Sequence, residues 1–243
     1  MSSQRTFQAI LGKFSAGLDI LKNVIGYNPS KNILKISSLE AQKADAEAKN
    51  SAVLSAETTE QDLRKSRRFM AFKSKDSDEN CLENRIKAIA NYIKAEHDAK
   101  YPAYLQVTSI ISKIQPPSEK KAAPAEGEVP KKSISKSEKS FQSLVGFGND
   151  VHTIISNLGA DYNPSNTNIT VANFRAKVDE LASLNSEIVT AEKNYSTAVQ
   201  ERNEAYNGEA GINSTISSIK DYLASLEGGK KNPDYVAYVN AVK

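Results

Sequence analysis

The second half of this chain matches the first at an ordered series of positions. Phe7-Gln8 and Gly12 return as Phe141-Gln142 and Gly146, 134 positions later, and Ile20 and Asn23 return as Ile154 and Asn157. One inserted residue further on, Tyr27-Asn28-Pro29-Ser30 returns as Tyr162-Asn163-Pro164-Ser165. Leu34, Ile36, Leu39, Ala56 and Arg67 then fall on Ile169, Val171, Phe174, Ala191 and Arg202 at an offset of 135. The offset drops to 130 for Ile86, Ile89 and Tyr92 against Ile216, Ile219 and Tyr222, and is 131 for Pro102 and Tyr104 against Pro233 and Tyr235. One shared dipeptide carries no weight. An ordered series whose offset moves only by short insertions and deletions marks a duplicated unit, because indels collect in loops while packed elements keep their spacing.

The duplication sets the expected domain organisation: a first repeat over 1–114, a linker over 115–140 and a second repeat over 141–243. The linker holds Pro116, Pro117, Pro124 and Pro130 with six lysines and four glutamates. Its few aliphatics cannot offset chain entropy by burial, so a flexible, partly extended connector is expected there.

Each repeat has helical periodicity. Phe7, Ile10, Leu11, Phe14, Leu18, Leu21 and Ile25 recur at three-to-four spacing and predict a first helix over about 5–24, with a counterpart beginning at Phe141. Gly26 and Gly159 stand where these helices must stop, each followed by Asn-Pro. Long helices are expected over about 37–75 and 170–207, the second with Thr170 as N-cap and Gly208 as its stop. The stripe Phe174, Val178, Leu181, Leu184, Ile188, Ala191, Tyr195 and Ala198 is apolar throughout. Its counterpart in the first repeat includes Lys43, Lys49, Glu60 and Arg67, so that helix should be less deeply buried. Third helices over 81–97 and 212–226 and short fourth helices starting at Pro102 and Pro233 complete each copy, proline being suited to a first turn. The only strand-like runs, 33–36 and 168–171, would pair briefly at most. The expected fold class is all-α: two tandem antiparallel helical bundles, each with one long helix.

Residue counts then remove most chemistry. One cysteine, Cys81, forbids an intrachain disulfide, and two histidines leave few ligands for a metal. Asp76-Ser77-Asp78-Glu79-Asn80 starts like a calcium loop, but position 6 is Cys81 and position 12 is Lys87, where glycine and a bidentate glutamate are needed. Glu96-His97 has the wrong spacing for a di-iron motif, and His152 has no glutamate three residues before it. Cys81 and His97, 16 residues apart on one helix, would lie about 24 Å apart along its axis. No phosphate-binding glycine loop occurs, Gly146-Phe147-Gly148 lacking the rest of the pattern. No catalytic, cofactor-binding or metal residue is therefore assigned, and no cofactor is expected. No apolar run reaches the ~18 residues of a membrane span. No secretory signal is visible either, so a cytoplasmic protein is expected.

Charge is unevenly spread. The first repeat carries 18 basic and 13 acidic residues, and the second 8 and 12. Much of the excess lies in 64–75, where Arg64, Lys65, Arg67, Arg68, Lys73 and Lys75 interleave with Phe69, Met70 and Phe72. The matched stretch of the second copy reads Glu201-Arg202-Asn203-Glu204-Ala205-Tyr206, so the basicity belongs to one copy. These six cations are the candidate contact for an anionic partner. The plainer alternative is a solvated helix end whose cations oppose the helix dipole. For Arg67 and Arg202, which align, an ion pair within each bundle is the modest expectation.

The Tyr-Asn-Pro-Ser element, with Asn168-Ile169-Thr170-Val171 and the long Ala/Asn/Glu-rich helix after it, resembles uncharacterised two-repeat all-α proteins of Bacteroidetes-type bacteria. The resemblance covers both repeats but not the linker. It implies fold and bacterial origin and carries no functional residue. Duplicated bundles without a catalytic set point to a non-enzymatic interaction or scaffold protein, acting through a protein partner or self-association. The alternative is a binder of nucleic acid or anionic membrane through 64–75.

Overall fold

The computed structural model of the chain describes residues 4–72, 80–114 and 140–243. The expected linker and the acidic run 76–79 therefore lie outside the described residues, apart from Ser140. The described chain is helical, with no strand. Its helices are α1 (Gln4–Leu21), α2 (Ile36–Ala71), α3 (Leu82–His97), α4 (Pro102–Ile114), α5 (Phe141–Asn157), α6 (Val171–Asn207), α7 (Ile212–Ala224) and α8 (Pro233–Ala241). At 1.5 Å per residue the 36 residues of α2 and the 37 of α6 make helices of about 55 Å.

The ends of these helices have local causes. Gly159, directly after the C-cap of α5, adopts φ of +55°, a left-handed value that ends the helix without the strain a Cβ would bring. Gly26, with φ of +79°, stands in the turn beyond the end of α1 at Leu21, so that helix stops earlier than its glycine predicts. The Ser140 hydroxyl accepts from the Ser143 amide at 2.9 Å, and the Asn232 side chain accepts from the Asp234 amide at 2.8 Å, capping α5 and α8. Thr170 caps α6 as expected, its hydroxyl accepting from the Asn173 amide at 3.4 Å. Prolines 102 and 233 open α4 and α8.

The two runs expected to pair briefly as strands instead form single 3-10 turns, Asn32–Leu34 and Thr167–Ile169. Tyrosine explains the difference. The Tyr27 hydroxyl donates to the Leu34 carbonyl at 2.8 Å, and the Tyr162 hydroxyl donates to the Ile169 carbonyl at 2.6 Å. Each carbonyl is thus held from across its own loop, and Leu34 and Ile169 are buried beneath. A second tyrosine closes each loop. Tyr222 stands edge-on to Tyr27 at 5.3 Å and accepts from the Asn28 amide at 3.2 Å. Tyr92 stands edge-on to Tyr162 at 5.2 Å and accepts from the Asn163 amide at 3.2 Å. The Tyr-Asn-Pro-Ser element is thus a clamp that fixes the turn into each long helix.

The chain divides into two compact units, one formed by 1–60 with 191–243 and the other by 61–190. This division cuts across the sequential one of 1–114, 115–140 and 141–243. In the first unit α1 packs against α8 and α7. Its core joins Phe7, Phe14, Leu21 and Leu39 to Tyr206, Ile212, Ile219 and Tyr238. In the second unit α4 packs against α3 and α5, and its core joins Ile86, Ile89, Ile93 and Val107 to Leu144, Val151, Phe174 and Leu181. Each core therefore joins residues of 1–114 to residues of 140–243. The long helices serve both: α2 gives Leu39 and Ala46 to one core and Ala71 to the other. Along α2 only Leu39, Ala46, Asn50, Val53 and Ala71 are buried, against seven residues along α6, the asymmetry its polar stripe predicts. Regrouped this way, the unit 1–60 with 191–243 carries 13 basic and 13 acidic residues, and 61–190 carries 19 and 16. The whole +3 belongs to the second unit.

The clamps make the fold sensitive to alkali. Burial raises the phenol of Tyr27 to about 12 and pushes those of Tyr162, Tyr206 and Tyr238 upward as well. A raised folded-state value means that the unfolded chain loses these protons first, near the ordinary tyrosine value of about 10. Their contribution is complete below about pH 10 and drains away as pH rises from there through the folded values. Thermal melts should hold steady up to about pH 9.5 and fall steeply between about 10 and 12. Over the same range, tyrosinate absorbance from Tyr27, Tyr162, Tyr206 and Tyr238 should rise together with the loss of helix.

Candidate functional site: an arginine groove at the basic end of α2

Arg64, Lys65 and Arg68 are exposed near the C-terminal end of α2, with Arg64 and Arg68 one turn apart on one face. Here the helix dipole places its negative end, which favours cations independently of any partner. Lys65 Nζ lies 5.6 Å from the centre of the Phe69 ring. Lys73 and Lys75, the remaining members of the expected cationic set, lie outside the described residues.

Arg67 is different: it points inward and is part-buried. Its guanidinium lies 3.9 Å above the Phe141 ring of α5, a cation–π contact. Its Nη1 donates to Asn185 Oδ1 of α6 at 3.4 Å, and Asn185 Nδ2 donates to the Phe141 carbonyl at 3.4 Å. Beside this trio runs a groove of about 460 Å³, bordered also by Gln142, Ser186 and the side chain of Val189. Val189 is 66% exposed. The groove thus offers a fixed planar cation, two amide side chains and an apolar rim.

Matched residues stand in the other unit, without the arginine–asparagine bond. Arg202 lies 4.3 Å above the Phe7 ring, and Asn50, 135 positions before Asn185, has no hydrogen-bond partner for its Oδ1. There, however, the site is sealed. Arg202 is 6% exposed, Asn50 3% and Phe7 1%. Tyr206 packs edge-on against Phe7 at 4.8 Å, and its hydroxyl accepts from Asn50 Nδ2 at 2.7 Å. Position 71, which matches Tyr206, is alanine. A ring is supplied from the next residue, Phe72, 5.3 Å from Phe141, and it has no hydroxyl to offer an amide. The part-exposed Asn185 consequently keeps only long hydrogen bonds at the edge of a groove.

Arg67 and Arg202 each rest on a phenylalanine, a contact the expected ion pair did not include. The offset of 135 that aligns the two arginines also aligns Asn50 with Asn185, which is the signal in the sequence for this pair.

The residues weighed for other chemistry have structural surroundings. Cys81 is fully buried. His97 stacks on Tyr101 at 4.3 Å between ring centres, and His152 Nε2 lies 3.5 Å from the Ser156 hydroxyl. Among the described residues no group of three His, Cys, Asp or Glu side chains is placed to hold a metal ion. No described helix is long and apolar enough to cross a membrane. A second groove, rich in asparagine, lies at the start of α3. Its Arg85 is used internally, donating to the carbonyls of Asn80, Asn168 and Asn173 at 2.9–3.0 Å. Comparison of the chain with protein-family models, with curated proteins and with solved structures gives no match.

Proposed function

We propose that this chain is a duplicated, non-enzymatic helical interaction protein that docks an acidic protein segment on the basic end of α2. The observation that carries this reading is the set of three exposed cations, Arg64, Lys65 and Arg68, beside a groove lined by the part-buried Arg67, whose counterpart Arg202 is buried. Clustered like charge on one face steers an oppositely charged partner and fixes its register, while an apolar rim supplies desolvation energy that charge alone does not. The duplication itself is supported by the paired tyrosine clamps and the paired arginine–phenylalanine contacts. Each falls on positions that the repeat aligns, and each joins one copy to the other.

The test is direct. Fluorescence anisotropy with labelled poly-glutamate, across a salt series, should show binding that weakens as salt rises. The charge-reversed variant R64E/K65E/R68E should lower affinity at least tenfold and flatten the salt dependence. These side chains are exposed, so the thermal melt should stay close to that of the parent. Unchanged binding in that variant overturns the reading. So does tighter, equally salt-sensitive binding of a DNA oligonucleotide or of anionic vesicles, which would transfer the basic segment to nucleic acid or a membrane surface.

A further inference from the structure

We infer that the turn joining α1 to α2, together with the 3-10 turn Gly229–Lys231 before α8, docks on an anionic lipid bilayer, with Ile25 entering the interface and lysines meeting the headgroups. Ile25 is 96% exposed, more than any other large apolar side chain among the described residues. Ile33, on the turn Asn32–Leu34, is 39% exposed. The backbone holds both outside. Tyr27 fastens the Leu34 carbonyl and Tyr222 the Asn28 amide. The neighbours Val24 and Leu34 are sunk in the core at 8% and 4% exposure. A fixed turn thus presents two isoleucines to solvent.

Charge surrounds them. Residues 20–39 hold Lys22, Lys31 and Lys35 and no carboxylate, and 228–233 hold Lys230 and Lys231 and none. α7 packs against both 3-10 turns, Asn32–Leu34 and Gly229–Lys231, which brings the two segments to one end of the unit 1–60 with 191–243. All five lysines are exposed. Lys22 pairs with Glu40 at 2.9 Å, and among the described residues no carboxylate pairs with the other four. The C-terminal ends of α1 and α7 favour cations here in any case. No helix field accounts for an isoleucine in water.

The second copy shows what the clamp itself requires. Between the aligned Asn and Tyr, Val24-Ile25-Gly26 is answered by Leu158-Gly159-Ala160-Asp161. Asn166, Asn168 and Thr170 stand for Lys31, Ile33 and Lys35, and Ala99 and Lys100 for Lys230 and Lys231. The same clamp is therefore built without the apolar tip and with a single one of these lysines. A convex turn tipped with isoleucine needs a partner that parts to admit it, as a bilayer interface does. Lysine, a compact charge on a flexible stem, suits mobile headgroups. One short apolar side chain or a few lysines would bind weakly alone, and the two signals together give reversible attachment.

The chain has no tryptophan, so Ile25→Trp places a single indole at the tip of the turn. The full-length variant is mixed with phosphatidylcholine vesicles, plain or with about 30% phosphatidylserine. Indole emission should move to the blue with the phosphatidylserine vesicles only, and salt should reverse the shift. In co-sedimentation, K31E/K35E/K230E/K231E should lower vesicle binding about tenfold or more. Ile25→Ser should lower it severalfold and leave its salt dependence unchanged. All these side chains are exposed, so thermal melts should stay near the parent. R64E/K65E/R68E should bind vesicles as the parent does, and K31E/K35E/K230E/K231E should bind poly-glutamate as the parent does, so this surface and the basic end of α2 stand or fall separately. An unmoved indole, or parental vesicle binding in both turn variants, overturns the inference. So does an indole shift produced by poly-glutamate and not by vesicles, which would make the turn a protein contact.

Discussion

A protein carrying an inserted protease site between Gly127 and Glu128 should remain one particle after cleavage. The cut separates α1–α4 from α5–α8, which in a chain of sequential domains would release two independent proteins. Here neither fragment owns a complete core. The N-terminal fragment keeps Phe7, Leu11, Phe14, Leu18 and Leu21 but loses Ile212, Ile219, Leu223 and Tyr238, which cover them. It also keeps Ile86, Ile89, Ile93 and Val107 but loses Leu144, Val151, Phe174 and Leu181. Each fully buried aliphatic or aromatic side chain is worth about 1.5–3 kcal/mol relative to exposure. Separation would expose more than a dozen, so the fragments should co-elute on gel filtration and part only in denaturant. Two peaks of independently folded fragments would show that the cores are not shared between the copies.

The second large effect is expected at Phe7. Truncation to alanine removes a ring that is 1% exposed, that supports the Arg202 guanidinium at 4.3 Å and that packs against Tyr206 at 4.8 Å. Phenylalanine-to-alanine changes in cores cost about 3–5 kcal/mol. The loss leaves a charged group in a cavity, which places this case toward the upper end. The apparent Tm of the unit 1–60 with 191–243 should fall by on the order of 10 °C or more. Phe141→Ala makes the matched change in the open site, where the ring is only part-buried and water can reach the guanidinium. Its effect should be less than half as large. Equal losses at the two positions would mean that the open and sealed descriptions are wrong.

The sequence disclosed elements better than partnerships. Several helix ends were legible because single residues impose them: Gly159 through left-handed backbone, Pro102 and Pro233 through the missing N–H, Thr170 through its hydroxyl. The repeat disclosed which tyrosines correspond, but not that they work as clamps, because a clamp needs a contact between residues of different copies. That is also why the pairing of helices was hidden. The apolar faces of α1 and α5 carry the same pattern, so periodicity alone does not decide whether α1 meets the helices of its own copy or those of the other. The strand-like runs misled because Leu34 and Ile169 look like strand residues until a tyrosine hydroxyl claims their carbonyls. The cations at 64–68 were visible as a composition anomaly. The groove beside them was not, because Phe141, Asn185 and Val189, which line it with Arg67, come from α5 and α6, far from α2 in sequence.

The interrupted unit also imposes an order in time. Residues 61–190 are contiguous, whereas 1–60 must wait for 191–243. Closing the intervening 130 residues as a random chain would cost about 4 kcal/mol in entropy. A folded 61–190 shortens that random loop, so the contiguous unit should nucleate first and the interrupted one should form after it. During synthesis at roughly 5–20 residues per second, the apolar face of α1 stays uncovered for some ten to forty seconds after residue 60 is made. Through that interval Phe7, Phe14 and Leu21 have no native partner from the C-terminal segment, and the nascent chain is at its greatest need of a chaperone.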